Sequence, residues 1–305
     1  MKKIYKRKEW MIFILCSMIL LTGCKVNTVI QRTPSDIPGL TEENKVKEIP
    51  LDELTAKDIG YENIMVKTNS AIESKDVKRL ITIFDLGELD VYPTDKENIE
   101  VQYYLGYDGK LSERQKEFFD KIDLQMVVKN NAVLIESLIP SGYNISLFDG
   151  KKYSFTMKIG VPKQITEFSL SNNVGIATVK DIQATMRLNN NVGLVKLENI
   201  TPIESLYMIN NVGEVDCNIK DASNLYEIYG ITNVGSLDVN LPKDTKYEEL
   251  KGESIENMIK NISEAIEKVT ESSSKDLFEE WDSVEKTDTI KIFTQGNVGY
   301  ANING

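Results

Sequence analysis

The 305-residue chain contains no histidine. That removes the commonest general base near neutral pH and the commonest zinc ligand, so chemistry that depends on imidazole is excluded. Cysteine is scarce: Cys16, Cys24 and Cys217 are the only three, which rules out a disulfide framework. Long apolar runs are missing too, since the longest, Trp10 to Leu21, spans twelve residues, too few to cross a bilayer comfortably. Positive charge is the minority sign, with 36 Lys and Arg against 47 Asp and Glu and a net charge of −11. An acidic surface makes nucleic acid and bare anionic lipid poor partners, while divalent cations and basic polymers suit it better. Apolar residues nevertheless make up 41% of the chain, enough for a sizeable core and too many for disorder throughout.

The chain opens MKKIYKRKEWMIFILCSMILLTGC, a basic start followed by the short apolar run and then small residues. Residues 1–23 read as an export signal. The segment Leu21-Thr22-Gly23-Cys24 resembles the lipobox of bacterial lipoproteins. That resemblance implies cleavage before Cys24, acylation of its thiol, and a cell-membrane protein held by lipid on the extracytoplasmic face. The alternatives are an ordinary export signal with an incidental cysteine, or a transmembrane helix. Residues 1–23 hold five Lys or Arg and one Glu, so cleavage would move the net charge from −11 to −15. Residues 24–60 are polar and broken by Pro34, Pro38 and Pro50. They read as a tether, within which Ile49-Pro50-Leu51 is apolar enough to dock on the folded part.

What the chain has in abundance is Asn-Val-Gly. Asn173, Asn191, Asn211, Asn233 and Asn297 are each followed by valine and then by Gly175, Gly193, Gly213, Gly235 and Gly299. Three and five places beyond each valine stand apolar residues: Ala177 and Val179, Val195 and Leu197, Val215 and Cys217, Leu237 and Val239, Ala301 and Ile303. The position between them is polar, as in Thr178, Lys196, Asp216, Asp238 and Asn302. Before the corner, Phe168 with Leu170, Met186 with Leu188, and Leu206 with Met208 alternate likewise. This is the period of a strand with one buried face, so each unit reads as strand, corner, strand. Asparagine and glycine both tolerate left-handed backbone, so the pair is expected to kink the chain while the valine stays in the core. The first four copies lie 18, 20 and 22 residues apart, a period that marks units stacked on their neighbours. FDLGELDV at Phe84 to Val91 is a degenerate further copy, with Leu86 in the valine's place.

Between the fourth and fifth copies the step grows to 64 residues. The excess, about 246–288, places Ile255, Met258, Ile259, Ile262, Ile266 and Val269 at helical spacing and reads as an amphipathic helical insert, either capping the repeats or docking a membrane or wall partner. Leu277, Phe278, Trp281 and Val284 continue the insert as a second short helix, and Leu111 to Ile122 reads as another helix. Arg79 to Tyr92, Ile99 to Leu105, Leu124 to Lys129 and Tyr153 to Ile159 read as strands.

Lys158 to Tyr247, with Val161-Pro162-Lys163 at its head, repeated polar-polar-x-Gly corners and a closing Leu241-Pro242-Lys243, resembles the bacterial "putative adhesin" β-repeat domain, related to toast-rack repeats of envelope-stress proteins. The resemblance implies a mainly β, repeat-built solenoid or toast-rack stack over residues 61–305, without enzymatic activity and without a cofactor. The helical insert departs from that pattern.

Within such a stack, outward Lys196, Asp216 and Asp238 would line up. A divalent-cation site at Asp216 and Asp238, helped by Glu214, is one expectation, and two solvated acids beside Lys196 is the other. The asparagine column is expected to bond to itself up the stack, with carbohydrate binding by the same amides as an alternative. Cys217 falls at an inward position and reads as a small core residue. No catalytic residue is singled out. The sequence thus points to a lipid-anchored surface protein with a non-enzymatic adhesin-like binding or scaffolding domain. The alternative is an envelope-stress sensing or regulatory module acting on a membrane partner. Expected partners are the membrane through the lipid and an envelope protein or wall polymer, but not nucleic acid.

Overall fold

The computed structural model describes residues 46–140, 152–220, 225–241, 246–247 and 289–305. They form mainly β structure in one open sheet of twelve strands, with one α-helix. The export signal, Cys24 and the greater part of the helical insert lie outside the described residues. No described helix is long and apolar enough to cross a membrane.

The repeats pair parallel and in register. Strand β3 (Arg79–Thr94) lies beside β8 (Glu167–Lys180) with Leu86 against Val174 and Gly87 against Gly175, so the degenerate copy is the first rung. Strand β8 lies beside the first half of β9 (Gln183–Ile219), with Val174 against Val192. The second half of β9 lies on the first at an offset of twenty residues, marked by the bond from Asn190 to Asn210. The chain has therefore made a circuit and come back beside itself. Inside, the expected alternation is buried: Phe168 and Leu170, Met186 and Leu188, Leu206 and Met208, then Ala177, Val179, Val195, Leu197, Val215 and Cys217.

The next rung is not the next copy. Strand β12 (Thr289–Asn304) pairs with the second half of β9, Val298 against Val212. Its other edge pairs with β10 (Leu225–Asn240), Val298 against Val234. The fifth copy is thus inserted between the third and the fourth, and β10 is joined to the rest of the stack through β12. All copies carry the same signature, so spacing fixes the register within a rung but not the order of rungs. The two-residue strand β11 (Lys246–Tyr247) lies on the outer edge of β10. The expected insert boundary at 246 therefore falls inside a short strand.

At the other end the sheet divides on the first corner. The leading half of β3 pairs with β6 (Ala132–Leu138), and its trailing half with β7 (Tyr153–Pro162). Strand β6 closes a hairpin with β5 (Asp123–Lys129). Asn130 and Asn131, both at positive φ, form its two-residue turn, as a right-twisted hairpin requires. Strand β7 continues into β4 (Ile99–Tyr107), β2 (Asn63–Ile72) and β1 (Glu48–Pro50). Ile49-Pro50-Leu51 does dock: Ile49 pairs with Ala71, and the Leu51 N–H donates to Asn69 O at 3.1 Å.

Helix α1 (Glu113–Asp120) is capped by Ser112, whose side chain accepts from the Gln115 N–H. It brings Phe118 and Phe119 into the division of the sheet. The Phe119 ring centroid lies 5.9 Å from that of Tyr103, and that of Phe118 5.7 Å from that of Phe155. These edge-on aromatic pairs close the core where the two branches part. The sequence reading missed β2 and β6. AVLIESL in β6 is buried along its whole length, so it lacks the period-2 pattern that marks a half-buried strand.

The corners are held by a column of glycines. Gly87, Gly175, Gly193, Gly213 and Gly299 have φ between 118° and 147°, which L side chains rarely adopt. A Cβ on Gly193 would lie 1.9 Å from the carbonyl oxygen of Gly175 on the neighbouring rung. Gly109 (φ 73°) meets nothing within 4 Å. Gly193→Ala should therefore lower unfolding free energy by roughly 3 kcal/mol or more, and Gly109→Ala by about 1 kcal/mol. Urea denaturation of the two variants would check this, and equal losses would contradict the close packing of the corner.

Candidate functional site

Two features of the corner differ from expectation. Left-handed backbone belongs to the glycines, whereas among asparagine and aspartate it occurs at Asn130, Asn131, Asp181 and Asn199. Asp181 and Asn199 each directly precede a buried isoleucine, Ile182 and Ile200. The valines do not stay in the core. Val174 and Val298 are each 40% exposed, and Val192 and Val212 are half-buried. The buried residue is the one before the motif, at Asn172, Asn190 and Asn210, none more than 2% exposed.

These asparagines form two ladders. On the inside, Asn172 Nδ2 donates to Asn190 Oδ1 at 2.9 Å and Asn190 Nδ2 to Asn210 Oδ1 at 2.8 Å. Asn190 and Asn210 also donate to the carbonyls of Gly193 and Gly213. On the outside, Asn211 donates to Asn191 at 3.2 Å, Asn191 to Asn173 at 2.8 Å, and Asn173 to Asp85 Oδ1 at 3.3 Å. Donors point away from β3 inside and toward it outside, so the two amide chains oppose each other. Asp85 ends the outer ladder as an acceptor and also takes the Ile139 N–H at 3.0 Å. Burial pushes its carboxyl pKa up, against the lowering effect of those two bonds. The amide column was expected at Asn173, Asn191 and Asn211. The deeper column was missed, although its signal, a doubled Asn in SNNVG, NNNVG and INNVG, is in the sequence.

Beyond the corner, every second residue faces outward. The column expected to hold Lys196, Asp216 and Asp238 side by side runs differently. Lys196 neighbours Asp216 by the twenty-residue offset, but Asp216 pairs with Asn302, and Asn302 with Asp238. The two acids are separated by two strand spacings, about 10 Å, with an amide between them. This relieves the repulsion that two adjacent carboxylates would feel. Among the described residues no three acidic, Cys or His side chains gather as a metal site. The next outward column is Asn218, Asn304 and Asn240. The column on the corner side places Tyr300, 58% exposed, beside Glu214. Asn233 and Asn297 lie on β10 and β12, whose corners are aligned by Gly235 against Gly299.

Cys217 is fully buried, and burial pushes its thiol far above the ordinary range. It is a core side chain, as its inward position implied.

No family model matches the chain, and no curated protein does. Among solved structures it is similar to a putative cell adhesion protein from Clostridium sporogenes, at 17% identity and a TM-score of 0.49, covering 79% of this chain and 98% of that one. It is also similar to a putative adhesin from Bacteroides fragilis, at 11% identity and a TM-score of 0.33, with the same coverage of both chains. Likenesses of this size carry no argument about function.

The inner ladder makes a further expectation. Asn190→Leu would leave Asn210 Oδ1 and the Gly193 carbonyl without their amide donor in a buried setting, a loss of about 3 kcal/mol. Asn191→Leu, in the partly exposed ladder, should cost about 1 kcal/mol. Denaturation curves that rank the two the other way would contradict the inner ladder's role.

Proposed function

We propose that the chain is a lipid-anchored, extracytoplasmic protein whose β-repeat body is a non-enzymatic binding or scaffolding module of the adhesin type. The observation that carries this reading is the outward face of the stack. Rungs in register set side chains in columns at a spacing of about 4.8 Å, a ruled and rigid surface suited to an extended partner. The buried amides of the corner are bonded to one another and hold the stack together. The chain has no histidine, and its core thiol is sealed from solvent, so imidazole chemistry and attack by that thiol find no support. The lipobox at Leu21 to Cys24 supports the anchor and the location.

The test is made in the native cell. With the wild-type chain, labelled palmitate should enter the protein and the protein should fractionate with membranes. Cys24→Ala should lose the label. Deleting residues 61–305 should reduce adhesion of those cells to surfaces or neighbours several-fold. Labelling of Cys24→Ala equal to that of the wild type would overturn the anchor, and unchanged adhesion after the deletion would overturn the adhesin reading.

A further inference from the structure

The insertion of β12 between β9 and β10 creates a surface patch that no consecutive stretch of chain contains. Tyr300 stands at its edge, 58% exposed, flanked on its own strand by outward Asn302 and Asn304. Asp216 lies on one side of Asn302 and Asp238 on the other, and Asn240 lies beside Asn304. Asp216, Asp238 and Asn240 are exposed, and Asn302 and Asn304 partly so. Among the described residues no hydrogen bond or ion pair engages these side chains, in contrast to the corner asparagines, which are bonded to each other. Three rungs therefore present one flat aromatic ring beside a grid of open amides and carboxylates.

We infer that this patch binds a glycan, one whose sugars are neutral or carry amino groups, an assignment that rests on the adhesin reading above. A pyranose ring has an apolar C–H face and a rim of hydroxyls. The electron-rich face of an exposed tyrosine accepts the first, and the second needs donors and acceptors in a plane. Asparagine supplies both, and a carboxylate accepts from two hydroxyls. The columns repeat at the strand spacing of about 4.8 Å, so neighbouring sugars of one chain meet neighbouring rungs. The sign of the charge narrows the class. Asp216, Asp238 and nearby Glu214 outnumber Lys196, the one cation beside Asp216 in this column, so the patch repels phosphate-bearing and uronic polymers and favours neutral sugars or amino sugars. The outward face at the other end of the stack is different. There Val174 and Ile176, 40% and 43% exposed, offer no hydrogen-bonding partners, and that end serves as the internal control.

The experiment is calorimetric titration of the full-length chain with hexamers of glucose, N-acetylglucosamine and glucosamine. Decalysine is titrated in parallel as a probe of basic peptide binding. At least one hexamer should bind saturably, and Tyr300→Ala should weaken it about tenfold or more. Val174→Ser on the control end should leave it unchanged. Both side chains are solvent-exposed, so thermal melts of the variants should match the wild type and any loss is a loss of contact. The inference is overturned if no hexamer binds, if Tyr300→Ala binds as the wild type does, or if decalysine binds where the hexamers do not. Adhesion of cells carrying Tyr300→Ala separates the two readings: adhesion that persists while hexamer binding survives elsewhere overturns this site and leaves the adhesin reading standing.

Discussion

The close approach of glycine to glycine at the corner is the constraint on which the rest of the stack depends. From Gly175 through Gly193, Gly213 and Gly299, each Cα faces the carbonyl of the glycine on the neighbouring rung, and Gly87 faces that of Phe155, so close that a methyl group would overlap it. Only a chain with no side chain at that point, and with positive φ, brings successive rungs within hydrogen-bonding distance through a bend. Once the glycines are in column, the register of every other position follows. Apolar residues two and four places beyond the glycine stack inside, the polar one between them stacks outside, and the asparagines before the corner come within reach of their equivalents.

The asparagines then make the bend tolerable energetically. A bent strand leaves polar groups near its apex in a buried place, where an unpaired amide or carbonyl is expensive. The inner ladder answers this by bonding Asn172 and Asn190 to the next rung and each of the three asparagines to the glycine carbonyl three residues on in its own rung, and the outer ladder runs with the opposite polarity to end on Asp85. The division of the sheet at that rung, filled by Phe118, Phe119, Tyr103 and Phe155, seals the first rung where no further copy is available to cover it. The outer ladder and the β6 branch thus meet at one side chain, Asp85, which accepts from Asn173 and from the Ile139 N–H.

Much of this was legible in the sequence. Period-2 alternation on both sides of Asn-Val-Gly gives the strands, and the alignment on valine gives the register, including the degenerate rung at Leu86. The helix at Ser112 announces itself by its capping residue. Three things were not legible, each for a physical reason. The valine's direction depends on how the bend rotates the backbone, and glycine rather than asparagine absorbs that rotation, so a simple alternation drawn through the motif puts the wrong residue inside. Strand β6 is buried on both faces and carries no alternation. Rung order is hidden because all copies share one signature, and a stack of similar units accepts them in any order that the connecting segments can span. The patch around Tyr300 depends on that order and so was invisible too, although Asp216 and Asp238 had been picked out for a different reason.

Rung order is the central claim, and cysteine crosslinking reads it directly. In a Cys217→Ala background, three pairs are made from exposed or partly exposed positions of one column: Asn218→Cys with Asn304→Cys, Asn304→Cys with Asn240→Cys, and Asn218→Cys with Asn240→Cys. A disulfide needs Cα atoms within about 7 Å; adjacent rungs are about 5 Å apart and alternate rungs about 10 Å. Under mild oxidation the first two pairs should crosslink within the chain, and the third should not. Efficient crosslinking of the third pair, with the first silent, would show that the fourth copy follows the third directly and would contradict the inserted strand and the patch built upon it.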